Sequence, residues 1–293
     1  MANANLTNAK KAKNDEFYTQ LTDIEKELVH YVDFFKGKVV YCNCDDARES
    51  NFFKYFTIRF EELGLKKLIT TGYKADGKGV VLIYEGDKNG NRMVEDSEII
   101  IKELEGNGDF RSAECIEFLK ECDVVVTNPP FSLFREYVAQ LMEYGKKFLI
   151  IGNKNAITYK EIFPYIKNDM LWLGITTPDE YRLPNGEITQ SVKGLCRWFT
   201  NIDHKKHNES FPLHRKYDAT AYPKYDNYDA IEVSKVSEIP EDYEGVMGVP
   251  ITFLDKYCPT QFEIVKFRKG NDDKDLSVNG KCPYFRILIK IRA

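Results

Sequence analysis

Four short runs of β-branched and other apolar residues, Lys38 to Cys42, Lys67 to Thr71, Asp123 to Thr127 and Phe148 to Gly152, recur along the first half of the chain. The stretches between them carry apolar residues at helical spacing. Thr22 to Phe35 sets Ile24, Leu28, Val29 and Val32 on one stripe, and Phe52 to Leu63 does the same with Phe53, Phe56, Phe60 and Leu63. Ala113 to Cys122 and Leu133 to Tyr144 read alike. Buried strands alternating with amphipathic helices leave few solutions, and the expected one is an open, mostly parallel α/β sheet covered on both faces.

Three further features organise the rest. Between the second and third runs, Asn89-Gly90 separates two extended segments and reads as a hairpin, expected as a peripheral insertion. Met170 to Ile175 and Leu195 to Ile202 read as two more strands, joined through a Pro184-Asn185-Gly186 turn and completing the sheet as an antiparallel edge pair. From His204 the sequence becomes polar, Tyr-rich and punctuated by proline, ending in a strand from Tyr284 to Ile291. At 293 residues the chain exceeds the usual single domain of about 100 to 200 residues, so residues 1–202 are expected as one domain and 203–293 as a second.

The first sixteen residues lack the apolar core of a secretory signal, and no stretch approaches the ~18 apolar residues of a membrane span, so a cytoplasmic protein is expected. Seven scattered cysteines, an odd number, argue for reduced thiols. Cys42 and Cys44 stand one residue apart with no second pair, which reads as buried thiols, and no metal is expected. The net charge of −4 does not itself suggest a polyanion partner, but its distribution does. Residues 193 to 216 hold six Lys and Arg against two acids, together with His204, His207 and His214. Such a stripe suits a phosphate backbone or simply a solvated face; Lys205, Lys206, Arg215 and Lys216 are its candidate phosphate contacts.

The sharpest chemical feature is Asn128-Pro129-Pro130-Phe131, directly after the apolar run ending at Thr127. Ligands in a parallel α/β sheet sit beyond the carboxyl ends of the strands, where this tetrapeptide would lie. Two prolines stiffen the backbone and remove two donors, leaving carbonyls able to accept. Asn128 adds a side-chain acceptor and Phe131 a flat stacking surface. That combination suits an amino group on an aromatic ring, whose delocalised lone pair becomes nucleophilic once acceptors draw its hydrogens out of plane. A plain Asn-Pro turn after a strand is the bland alternative.

The tetrapeptide resembles the catalytic motif of amino-methyltransferases, with Phe at its fourth position as in the adenine-N6 DNA enzymes. The segments FYTQLTDIEKEL, VVYCNCDDARESNFFKYF, GDFRS, TNPPFSLFREYV, FLIIGNKNAITYKEIF, WFTN and GVPITFLDKYCPTQFEIV extend the likeness, from about Asp15 to the C terminus, to the EcoRI-type adenine methyltransferases. The resemblance implies a Rossmann-like S-adenosylmethionine-dependent methyltransferase sheet with a C-terminal target-recognition region. It implies that Asn128 and the Pro129 carbonyl accept from the target adenine amine, that Pro130 holds the turn and that Phe131 stacks on a flipped base. Asp109 would accept from the cofactor adenine with Phe110 packed beside it, and Phe17, Tyr18 and Thr19 would close over the cofactor's methionine part.

In the cofactor loop, Asp45, Ser50 and Phe53 keep the spacing of the common pattern, while Glu49 and Asn51 stand where that pattern has glycines. No acid ends the second strand to hold the ribose; Thr70, Thr71 and Tyr73 are there. The implied substrate is double-stranded DNA, the implied setting a restriction-modification system with a separately encoded endonuclease or an orphan or phage methylase, and the expected state a monomer. GAATTC follows as a first guess at the site, although a few side chains alter base readout. The rival readings are a methyltransferase for RNA or protein glutamine, and a nucleic-acid-binding module without catalysis.

Overall fold

The computed structural model describes residues 18–44, 46–178, 181–182, 188–189 and 194–292, with the backbone alone for Tyr18, 181–182 and 188–189. Phe17, Asp45, Lys193 and the Pro184-Asn185-Gly186 turn lie outside the described residues. The chain divides into two compact units, residues 1–162 with 174–202, and residues 163–173 with 203–293.

In the first unit the strands are β1 (Tyr18–Thr19), β2 (Val39–Cys42), β3 (Lys67–Gly72), β4 (Val80–Tyr84), β5 (Ile99–Glu103), β6 (Val124–Thr127) and β7 (Lys147–Asn153). β8 (Trp172–Leu173) falls in the second unit; β9 (Tyr181–Arg182), β10 (Ile188–Thr189) and β11 (Cys196–Thr200) return to the first. The main sheet of this unit runs β5-β4-β3-β2-β6-β7-β11. β3, β2, β6 and β7 are mutually parallel, as the four apolar runs predict. From β2 the chain moves to β3 on one side and later to β6 on the other, so the crevice at the carboxyl ends of β2 and β6 is the topological switch point where such sheets take ligands. β11 lies antiparallel on β7, as expected of the edge.

The Asn89-Gly90 region differs from the expectation. β4 and β5 do form an antiparallel pair, but they extend the main sheet, β4 lying antiparallel on β3. The apolar faces of Leu82 and Tyr84 belong to the core, which an outlying insertion could not supply. The connection is no tight turn: the Asp87 carboxylate gathers the amides of Asn89, Gly90 and Arg92 at 3.2, 2.7 and 2.6 Å.

The first helical stripe also divides, into α1 (Leu21–Leu28), a 3-10 turn at Val29–Tyr31 and α2 (Val32–Phe35). Tightening to three residues per turn rotates Val29 off the stripe, and it is 57% exposed. One turn earlier, Glu27 is fully buried and satisfied by four donors: Tyr31 Oη at 2.9 Å, the amides of Ile175 and Thr176 at 2.8 and 2.6 Å, and Thr176 Oγ1 at 2.6 Å. This carboxylate pins the segment after Gly174 to α1. α3 (Asn51–Ile58) follows β2, its Phe52 edge-on to the buried Trp198 of β11 at 6.2 Å.

In the second unit β12 (Ile231–Glu232), β13 (Met247–Pro250), β14 (Phe262–Phe267) and β15 (Arg286–Ile291) form a sheet in the order β12-β13-β15-β14. Behind it Tyr225 packs with Ala230, Leu276 and Leu288, so the Tyr-rich stretch contributes a satellite core. The Tyr225 hydroxyl donates to Glu232, which also takes the Arg286 fork at 2.9 and 2.6 Å. Among the described residues no helix is long and apolar enough to cross a membrane.

Two histidines of the basic stripe are internal. His207 stacks on Trp172 with centroids 4.1 Å apart and donates from Nε2 to Asp169 at 3.0 Å. His204 Nδ1 accepts the His207 amide at 3.2 Å, so its proton sits on Nε2, facing the Leu173 carbonyl at 3.0 Å. Burial pushes the His204 pKa down to about 4. The unfolded chain takes up that proton near pH ~6.5 while the folded chain stays neutral, so stability declines as pH falls from about 6.5 towards about 4. Urea unfolding of wild type and His204→Asn between about pH 7 and pH 5 checks this: the variant should lose less stability on acidification, and equal slopes would contradict it.

Candidate active site

Asn128-Pro129-Pro130-Phe131 leaves the end of β6 at the switch point. Asn128 is 9% exposed. Phe131 opens a 3-10 turn, Phe131–Leu133, in which the Leu133 amide bonds the Pro130 carbonyl at 3.0 Å. Among the described residues no backbone donor reaches the Pro129 carbonyl. Phe131 is half-buried and packs against the main core cluster.

The loop after β2 meets this turn through Asn43. Thr127 Oγ1 donates to the Asn43 carbonyl, and Tyr137 Oη, from α4 (Phe134–Glu143), donates to Asn43 Oδ1. Tyr137 is fully buried, and burial raises its pKa well above that of a free tyrosine, so it is a permanent donor here. Cys44, next in the chain, has a positive φ of 74°, the left-handed conformation that glycine adopts without strain. The loop then closes on Asp46, whose Oδ1 accepts the Arg48 amide at 2.9 Å and whose carbonyl accepts the Ser50 amide at 2.8 Å. Ser50 caps α3 by accepting the Phe52 amide at 3.2 Å. Phe53, 8% exposed, is part of the core beneath this helix.

Asn51, where the common pattern has glycine, donates from Nδ2 to the Thr19 carbonyl at 2.8 Å. The N-terminal motif is thereby tied to the start of α3, while β1 pairs through Tyr18 and Thr19 with Arg182 and Tyr181. Where glycine would allow close backbone approach, Asn51 makes a hydrogen bond between the strand at Thr19 and the start of α3.

Asp109 and Phe110 are placed by a glycine contact. Gly108 has φ +81°, and a Cβ there would lie 2.4 Å from the Gly72 carbonyl at the end of β3. Only glycine lets the two backbones meet, and the Lys74 amide bonds the Asn107 carbonyl at 2.9 Å beside it. Phe110 is buried edge-on to Tyr137, centroids 4.9 Å apart, and its carbonyl accepts from Gln140 at 3.3 Å. Asp109 takes the Arg111 side chain at 2.8 and 2.6 Å, which holds its carboxyl below the usual carboxylate range.

The first unit therefore brings Asn128 to Phe131, Ser50, Thr19, Asp109 and Phe110 together around the carboxyl ends of β2, β3 and β6. Lys205, Lys206, Arg215 and Lys216 belong to the second unit. Lys205 and Arg215 are exposed, Lys206 is half-buried, and Lys216 pairs with Glu241 at 2.8 Å. Asn43, Tyr137 and Arg111 are connecting residues that the sequence reading did not single out, and it named Asn51 only as a departure from glycine. A polar residue closing a buried strand, as Asn43 does, was the available signal.

Asn43→Ala would strand the buried Tyr137 hydroxyl, lowering stability by about 1–3 kcal/mol in urea unfolding. Tyr137→Phe in the same background should recover part of that loss, since the orphaned hydroxyl goes with it. Strict additivity of the two changes would show that the bond is not formed.

The family model for the adenine-specific methyltransferase EcoRI matches residues 5–292. The type II methyltransferase M.EcoRI of Escherichia coli is 53% identical, covering 97% of this chain and 95% of that one. M.MpnI of Mycoplasma pneumoniae is 39% identical over 97% of both chains, and M.MgeORF184P of Mycoplasma genitalium 37% identical over 96% of this chain and 97% of its own. No solved structure matches. The chain belongs to the EcoRI family of adenine-specific methyltransferases.

Proposed function

We propose that this enzyme transfers the methyl group of S-adenosylmethionine to the N6 amino group of an adenine flipped out of duplex DNA at one short sequence. The observation that carries this reading is Asn128-Pro129-Pro130-Phe131 at the switch point, anchored through Thr127 to the loop that precedes α3. Asn128 Oδ1 and the Pro129 carbonyl accept the two amine hydrogens, which draws them from the ring plane and localises the nitrogen lone pair. Pro130 stiffens the turn, and Phe131 stacks on the base, replacing part of the stacking lost on flipping. In that geometry the amine would attack the methyl carbon in line, the carbon–sulfur bond breaking to release S-adenosylhomocysteine and one amine proton passing to solvent, with positioning as the protein's main contribution.

The residues present fit the donor. Asp109 supplies an acceptor for its adenine amine, with Phe110 packed beside it, and Thr70 Oγ1, in register beside Cys42, is buried without a partner among the described residues, as a ribose-facing hydroxyl would be. Ser50 and Phe53 shape the loop beneath, Thr19 is held over it by Asn51, and Phe17, Tyr18 and Asp45 complete the set by sequence position. The donor supplies an electrophilic methyl on a sulfonium. We assign the second unit to target recognition, with Lys205, Lys206, Arg215 and Lys216 on the phosphates, Lys216 exchanging Glu241 for DNA. A separately encoded endonuclease and action as a monomer complete the proposal.

Labelled methyl from S-adenosylmethionine should enter unmethylated duplex DNA, with sequencing locating N6-methyladenine at one motif. Label in RNA or protein alone would overturn the substrate assignment. Asn128→Ala should lower turnover by about 10²- to 10³-fold with donor affinity nearly unchanged, while Asp109→Ala weakens donor binding itself. Lys205→Ala and Arg215→Ala should each reduce the salt slope of DNA binding by about 1, and an unchanged slope would remove that residue from the phosphate contacts.

A further inference from the structure

Arg111 makes contacts that neither strand pairing nor core packing requires. Its Nε and backbone amide both donate to Asp109 Oδ1, at 2.8 and 2.9 Å, and its Nη2 donates to Oδ2 at 2.6 Å. The remaining guanidinium nitrogen, Nη1, reaches the two oxygens of Glu136 on α4 at 3.2 and 3.3 Å, and Cζ lies 5.2 Å from the centre of the Phe110 ring. All three side chains of this bridge are partly solvent-exposed, so as an ion pair it contributes little to stability. What it does is geometric. A carboxylate on a short turn rotates freely about its last bond, whereas a planar fork engaging both oxygens fixes that rotation.

An ionised carboxylate offers about four lone-pair positions. Three of those on Asp109 are taken by Arg111, two on Oδ1 and one on Oδ2, and among the described residues nothing else donates to it. We propose that Arg111 is a positioning residue for the methyl donor, holding Asp109 so that the last acceptor position, on Oδ2, receives the amino group of the donor's adenine. Glu136 braces the outer end of the guanidinium, so helix α4, which also carries Tyr137 against Phe110, sets the geometry of the whole adenine end of the site. The inference rests on the assignment of Asp109 to the donor adenine.

A single free acceptor at a fixed position selects a 6-amino purine over a 6-oxo purine, whose oxygen would face the carboxylate lone pair. Calorimetry with S-adenosylhomocysteine and with its inosine counterpart reads that selection directly. Wild type should prefer the adenine form. Arg111→Ala should weaken the adenine form by about tenfold and shrink the preference, with kcat at saturating donor unchanged. Glu136→Gln should show a smaller change in the same direction. Should Arg111→Ala not fold, Arg111→Lys, which keeps the charge and loses the fork, carries the same comparison. Full retention of the preference in the Arg111 variant, while Asp109→Ala abolishes it, would overturn this inference alone. Retention of the preference in Asp109→Ala would overturn the assignment of Asp109 beneath it.

Discussion

Asn43 is the residue on which the site depends. Its carbonyl and side-chain oxygens take donors from β6 and α4, so the loop after β2, the turn after β6 and the helix behind that turn are locked at one residue. Both hydroxyl donors are fully buried, and breaking either bond would leave a polar atom in the core without water. Through Tyr137 the same lock extends to Phe110, and through Gln140 to the Phe110 carbonyl. Methyl transfer demands that donor and acceptor be held at a fixed separation, and the hydrogen bonds at Asn43 fix relative to one another the three segments that meet at the switch point.

The loop before α3 is built from residues other than the glycines of the common pattern. A glycine-rich turn lets backbone approach a ligand; here Cys44 takes the left-handed conformation, Asp46 closes the turn with its own acceptors, and Asn51 spends its side chain on the Thr19 carbonyl. Flexibility is exchanged for a bonded connection between the N-terminal motif and the helix. Glycine is kept where backbones truly collide, at Gly108 against the Gly72 carbonyl, one residue before Asp109.

In the second unit, the basic stripe read from the sequence divides into two kinds of residue. His204 and His207 turn inward to a hydrogen-bonded and stacked cluster with Trp172 and Asp169, whereas Lys205, His214, Arg215 and Lys216 are exposed. Charge counting cannot separate these, because a neutral histidine that exchanges its hydrogen bonds internally has the same letter as one on the surface. Glu232 and Arg286 illustrate the same point: two charged residues 54 positions apart form a buried pair that fastens β15 to β12.

Much of this was legible in the chain itself. Local apolar periodicity marked β2, β3, β6, β7 and β11, because strands and helices bury faces whose spacing is intrinsic to the backbone, and position after a strand marked Asn128 to Phe131 because parallel sheets bind ligands there. The motifs likewise marked the EcoRI-type family. What only the tertiary structure decided are relations between distant residues: β4 and β5 joining the main sheet, 163–173 grouping with 203–293, Glu27 capturing the amides of Ile175 and Thr176, and Asn43, Asn51 and Arg111 acting as connectors. Periodicity reports which face of an element is buried, but a hydrogen bond between residues 84 or 94 positions apart, as at Asn43, exists only once the sheet has brought its strand ends together.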